Sequence, residues 1–162
     1  MGFNEKQELE RAAIKYFVSS YNKAYRGKLV IEKRQECPDF ILSNGNKGQI
    51  GAEVTNLFYD LQEAKLLLGR SETDSHPGMC STELISRLNK ILEKKNNDAI
   101  KYHYLGELIL IIMVASPIFG CKTIHMYKAD VVIPRNNIFS EIWLLFYNYQ
   151  KQRWDELERL IS

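Results

Sequence analysis

A chain of 162 residues with 45% hydrophobic side chains can bury one core and is too short for two, so a single domain spanning 1–162 is expected. Twenty-two basic against 20 acidic residues leave a formal charge of only +2, which excludes a global positive field as the basis of nucleic-acid binding and leaves a local basic patch open. Cys37, Cys80 and Cys121 are odd in number and widely spaced, which argues against a disulfide framework or a zinc knuckle and for reduced thiols.

From Asn4 to Tyr25, apolar groups at Leu9, Ala13, Phe17, Tyr21 and Ala24 recur at helical spacing, and Gly27 closes the pattern. Three strands are predicted next, at Leu29 to Lys33, Asp39 to Ser43 and Gln49 to Leu57, forming an antiparallel meander. A short helix over Phe58 to Leu68 and a loop over Gly69 to Gly78 follow, the loop marked by its cluster of Gly, Ser, Thr, Asp and Pro. Ser81 or Thr82 then caps a long helix reaching about Tyr104, with Leu84, Leu88, Ile91, Leu92 and Ala99 on one side.

Glu107 to Ala115 is a continuous apolar run suited to a central strand covered on both faces. Within Ser116 to Asn137 only Val131-Val132-Ile133 suggests a strand, an irregular or edge one before Pro134. Ser140 to Tyr147 reads as a further strand, and Gln152 to Ile161 as a short terminal helix. The order helix, three strands, helix, strand, with additions, predicts an α/β (α+β) fold: a mixed sheet of four or more strands with helices on both faces. The first helix is charged from its start, which argues against a secretory signal, and Leu108 to Ala115 is too short to cross a bilayer. A cytoplasmic protein with no membrane partner is therefore expected.

Two short segments carry the chemistry: Pro38-Asp39-Phe40-Ile41-Leu42 and Gly51-Ala52-Glu53-Val54-Thr55, joined across Ser43-Asn44-Gly45-Asn46-Lys47-Gly48. Asn and Gly tolerate positive backbone dihedral angles, so the joining run predicts a hairpin turn. Asn46 is the midpoint between positions 39 and 53, and a simple register therefore sets Asp39 opposite Glu53. Side chains alternate along a strand, so Thr55 joins their face while Phe40, Leu42, Ile50, Ala52 and Val54 take the other.

Set on a helical wheel at about 100° per residue, two charged residues fall inside apolar arcs, Glu10 and Lys95. Glu10 lies beside Ala13, Ile14, Phe17 and Tyr21 while Glu8 projects outward; Lys95 lies among Leu84, Leu88, Leu92 and Tyr102 while Lys90, Lys94 and Lys101 point away. An interior charge is costly without a partner, and the economical arrangement brings Glu10, Asp39, Glu53 and Lys95 to one site. There Asp39, Glu53 and the Val54 backbone carbonyl would bind Mg²⁺, with Mn²⁺ as a substitute, through hard oxygen ligands. Lys95 would orient or activate a water, and Glu10 would serve an outer or second-metal role. Lys65 and Gln62, on the short helix after Glu53, are auxiliary candidates, and Lys65 is the second choice for the lysine.

This order, with the Pro-Asp-Phe strand and the Gly-x-Glu-Val-Thr strand, resembles the PD-(D/E)XK nuclease superfamily, the restriction-endonuclease-like fold, over roughly Asn4 to Ala115. The resemblance implies a four-stranded mixed sheet between two helices, in αβββαβ order, and a metal-dependent nuclease hydrolysing phosphodiester bonds, with DNA the expected substrate. Asp39 matches the first acidic position of the signature and Glu53 the second, whereas Thr55 stands where a Lys is usual. Some branches of the superfamily carry that Lys on the following helix, and Lys95 fits such a branch.

Blander readings stay open. Asp39 is also a strand-start residue able to bond a turn backbone, Glu53 also suits a solvent-facing sheet, and Glu10 and Lys95 could snorkel from the rims of apolar stripes. Cys37 reads as a small apolar filler, and Tyr102, Tyr104, Trp143, Phe146, Tyr147 and Trp154 as core residues. His76, His103 and His125 have no ligand spacing. The alternative function is a catalytically inactive member of the same fold that binds nucleic acid or protein. A domain this small also suits a homodimer or a larger complex.

Overall fold

Every third or fourth residue of the first helix, α1 (Phe3–Tyr25), meets the sheet: Ala13, Ile14 and Phe17 are buried, while Arg11, Lys15 and Ser19 face outward. The computed structural model describes residues 3–45, 48–57, 77–102, 104, 106–114, 121–148 and 151–161. Arg26 adopts a left-handed φ of 51° and ends the helix. Gly27 serves a different need from the closing role its sequence position suggests, because a Cβ there would sit 2.7 Å from the Tyr21 ring. The Asn22 side chain ties the helix end to the next strand, accepting from the Leu29 N–H at 2.9 Å and donating to its carbonyl at 3.0 Å.

Six strands follow in one mixed sheet: β1 (Leu29–Arg34), β2 (Phe40–Asn44), β3 (Gln49–Asn56), β4 (Glu107–Val114), β5 (Glu141–Asn148) and β6 (Arg153–Ile161). Their order in space is their order in the chain. β1, β2 and β3 form an antiparallel meander, β4 lies parallel to β3 and β5 parallel to β4, and β6 returns antiparallel to β5. A second long helix, α2 (Pro77–Ile100), precedes β4, and a short one, α3 (Cys121–Met126), with a 3₁₀ turn at Lys128–Asp130, lies between β4 and β5.

The period-2 alternation of the strands sorts their side chains into two cores. Phe40, Leu42, Ala52, Val54, Ile109, Ile111, Met113, Trp143 and Leu145 pack with Ala13, Ile14 and Phe17 of α1. Leu108, Leu110, Ile112, Val114, Ile142, Leu144 and Phe146 pack with Leu84, Leu88, Ile91, Leu92 and Ala99 of α2. All of β4 from Leu108 to Val114 is buried, as a central strand covered on both faces requires. Trp143 takes the rings of Phe17 and Tyr21 edge-on at 5.7 and 5.8 Å, locking α1 across β5.

Where the fold departs from the sequence reading, distant pairing overrides local pattern. Gln152 to Ile161 is not a helix: β6 completes the sheet beside β5, after a turn with Gln152 at φ 53°. Bulges at Ile142/Trp143 and Phe146/Tyr147 break the strict alternation, so Leu157 packs toward α1 while Leu160 and Ile161 pack toward α2. That spacing of three to four residues imitates a helical stripe. Val131-Val132-Ile133 forms no strand, because its backbone is held by α2: the Asn89 side chain accepts from the Val132 N–H at 2.8 Å and donates to the Asp130 carbonyl at 3.0 Å.

α2 begins at Pro77, within the expected loop and ahead of Ser81, since proline at a first helical position gives up no needed hydrogen bond. It ends at Ile100, short of Tyr104. Ala24 is exposed rather than on the apolar side. The expected helix over Phe58 to Leu68 and the loop from Gly69 to His76 lie outside the described residues. Among the described residues, no helix is long and apolar enough to cross a membrane.

Gly51 is the tightest point of the hairpin. A Cβ there would stand 2.6 Å from Pro38 Cγ, 2.7 Å from Leu108 Cδ2 and 3.1 Å from Tyr104 Cε1, contacts made by a rigid ring and by buried core side chains. Gly51→Ala is expected to lower stability by about 1–3 kcal/mol through overpacking, read from the midpoint of urea unfolding.

Candidate functional site

The β2–β3 hairpin pairs Phe40 with Ala52, Ile41 with Gly51, Leu42 with Ile50 and Ser43 with Gln49 around a turn in which Gly45 and Gly48 take φ values of 54° and 91°. One step further brings Asp39 opposite Glu53. The Asp39 N–H donates to Glu53 Oε1 at 3.2 Å, and Asp39 Oδ2 accepts from the Val54 N–H at 2.9 Å.

The sequence explains why the ladder stops here. The register would next set Pro38 opposite Val54, and Pro38 has no N–H to give to the Val54 carbonyl. Asp39 takes over as acceptor for the Val54 N–H. N–H and C=O of one strand residue point to the same side, so the Val54 carbonyl faces the strand end where Asp39 lies.

Gly51, Glu53 and Thr55 share the sheet face that α2 covers, and Glu53 is only 3% exposed. From α2, half-buried Lys95 brings Nζ to 4.0 Å from Glu53 Oε2, while Lys90, Lys94 and Lys101 are exposed, as the wheel requires. The Tyr102 phenol, just past the helix end, hydrogen-bonds the Glu53 carboxylate. Burial first, and then the charge of Asp39, push the Glu53 carboxyl up to about 7, against the opposing pull of Lys95, the Asp39 N–H and Tyr102. Burial and then the Glu53 charge raise Tyr102, so the phenol stays protonated and is the donor of that bond.

Glu10 occupies a different position from the one expected. It is buried as the wheel predicts, but Arg34 Nη2 lies 3.3 Å from Glu10 Oε2, so a guanidinium matches its charge. Arg34 ends β1 opposite Phe40, which sets this pair near the sheet end that carries Asp39. Among the described residues, no group of three or more His, Cys, Asp or Glu side chains is arranged to hold a metal ion, so Glu10 does not complete a cluster with Asp39 and Glu53.

Thr55 is half-buried beside Ile112. Lys65 and Gln62 lie outside the described residues, as do His76 and His103. His125 is exposed, with Nε2 3.3 Å from Glu158. Cys37 is exposed, contrary to a filler role; desolvation of the sulfur, then Glu53 and Asp39, raise its thiol.

Trp143 and Phe146 are buried, and Tyr102, Tyr104 and Tyr147 pack against the two cores. Tyr102 was readable only as a core residue. Its signal was its place seven residues beyond Lys95, two helical turns along the same side.

Comparison with protein-family models, with curated proteins and with solved structures finds no match to this chain.

Glu53 also gives a pH signature. Folded, it keeps its proton up to about 7, whereas the unfolded carboxyl loses it near its ordinary value of 4.5. Without divalent ions, stability should therefore fall as pH rises from about 4.5 to about 7 and then level off. Urea midpoints from pH 5 to 8 measure the slope, which Glu53→Gln should flatten.

Proposed function

We propose that this chain is a metal-dependent nuclease with a restriction-endonuclease-like core, hydrolysing phosphodiester bonds in nucleic acid, with DNA as substrate. The observation that carries the reading is the meeting of Asp39, Glu53 and Lys95 at the end of β2. The arrangement behind it supports the same reading: a helix, a three-stranded meander, a second helix and a strand parallel to β3, with α1 and α2 on opposite faces.

The donor set fits a hard divalent cation. Asp39, Glu53 and the Val54 carbonyl offer only oxygen, and the pressure of Asp39 on Glu53 is the kind of unrelieved negative charge that such an ion relieves. Bound there, Mg²⁺ or Mn²⁺ would polarise the scissile phosphate and make hydroxide available near neutral pH. The chain's own part is electrostatic and geometric. Asp39 and Glu53 hold the ion's place, and the Lys95 ammonium beside Glu53 orients the attacking water and steadies the charge that grows on phosphate oxygens. Thr55, in the usual lysine position of the signature, leaves that role to Lys95.

A second reading is a catalytically silent member of the same fold that binds nucleic acid or a protein partner, alone or as a homodimer. Thr55 and the lack of a third carboxylate in the pair's neighbourhood, among the described residues, favour it.

Nicking of supercoiled plasmid separates the two. The nuclease reading expects cleavage that needs Mg²⁺ or Mn²⁺, rises with pH through about 7, and falls by about 10²-fold or more in Asp39→Ala, Glu53→Ala and Lys95→Ala. Activity that survives all three substitutions would remove the assignment. No cleavage by purified protein under any metal condition, with DNA still bound, would favour the silent reading.

A further inference from the structure

Glu53 is the most deeply buried charged side chain among the described residues, at 3% exposure. Lys95, at 4.0 Å, is too far for a hydrogen bond and contributes Coulomb attraction. The bonds that fix the carboxylate come from the Asp39 N–H, at 3.2 Å, and from the Tyr102 hydroxyl.

Tyr102 is itself held from two sides. The Lys101 N–H donates to the Asp98 carbonyl at 3.1 Å and the Tyr102 N–H to the Ala99 carbonyl at 3.0 Å, which winds the chain tightly off the end of α2. Its ring packs against the core between α2 and the sheet. A hydroxyl anchored by a backbone turn and a packed ring has little freedom to follow a wandering carboxylate, so the carboxylate must conform to the hydroxyl.

We propose that Tyr102 is a positioning residue of the hydrolytic site: its hydroxyl donates to the Glu53 carboxylate and holds it in the orientation that receives a divalent cation. This inference rests on the nuclease reading above. A long carboxylate side chain that ligates a metal is useful only when outer partners fix it, and loss of such a partner costs about 10–100-fold in metal affinity. Among the described residues Tyr102 is the one side chain recorded in a hydrogen bond to Glu53; the other fixing donor is backbone and cannot be removed by substitution at position 39.

The test is Mn²⁺ binding by calorimetry to the full chain, wild type against Tyr102→Phe, with thermal unfolding of both. Phe keeps the ring and its packing and removes only the hydroxyl, so a purely structural role for the ring would leave Mn²⁺ affinity unchanged. The expected result is a cooperative unfolding transition retained, Mn²⁺ affinity lowered about 10–100-fold, and kcat for plasmid nicking lowered while KM for DNA stays the same. Wild type binding Mn²⁺ with Tyr102→Phe equal to it overturns the Tyr102 role and leaves the nuclease reading standing. Wild type failing to bind Mn²⁺ overturns the nuclease reading, and this inference with it.

Discussion

A slip of one residue between β2 and β3 would send every side chain of the hairpin to the opposite face, and the site could not survive it. Three features oppose that slip. Gly45 and Gly48 set the turn with positive φ angles, Phe40, Leu42, Ala52 and Val54 fill the core under α1, and the Pro38 ring seats on Gly51 where no other residue would leave room. The same register that buries the apolar face places Asp39 beside Glu53. Folding and site assembly are thus one event.

The second requirement is that α2 present Lys95 and not a neighbour. A turn of the helix by one position would aim Lys94 or Asn96 at Glu53. Asn89 and Asn96 prevent this from either side of the critical stretch. Asn89 clamps Asp130 and Val132, and Asn96, 1% exposed, accepts from the Ile138 N–H at 2.7 Å while donating to Asn136. The connection between α3 and β5, which carries no regular strand, therefore acts as a brace for the helix. Buried amides with every bond made are rigid fixtures, and a rigid helix allows an ammonium to be held at a chosen distance from a carboxylate.

These two constraints leave Glu53 in tension. Burial and Asp39 favour its protonated form, while Lys95, Tyr102 and the Asp39 N–H favour its charge. A carboxyl balanced near neutrality answers strongly to any added cation, whereas one already neutralised by a tight ion pair would not. Glu10 illustrates the contrast: its charge is met by Arg34 at 3.3 Å, which makes it a poor candidate for sharing an ion.

What the sequence by itself determined is what local spacing encodes. The Asn-Gly turn with its flanking alternation set the hairpin register, and the helical wheel separated Lys95 from Lys94 and Glu10 from Glu8, because the periods of 2 and 3.6 are properties of the backbone alone. The tertiary structure decided whatever depends on a partner far along the chain. Residues 153–161, rich in Glu, Leu and Arg, became a strand because β5 offered an edge, and its bulges disguised the alternation as a helical stripe. Glu10 found Arg34, and Tyr102 found Glu53, through folding that brings segments many residues apart within hydrogen-bond reach. No local rule fixes which of several buried or half-buried donors will meet a given carboxylate, since that choice belongs to the packing of the helices on the sheet.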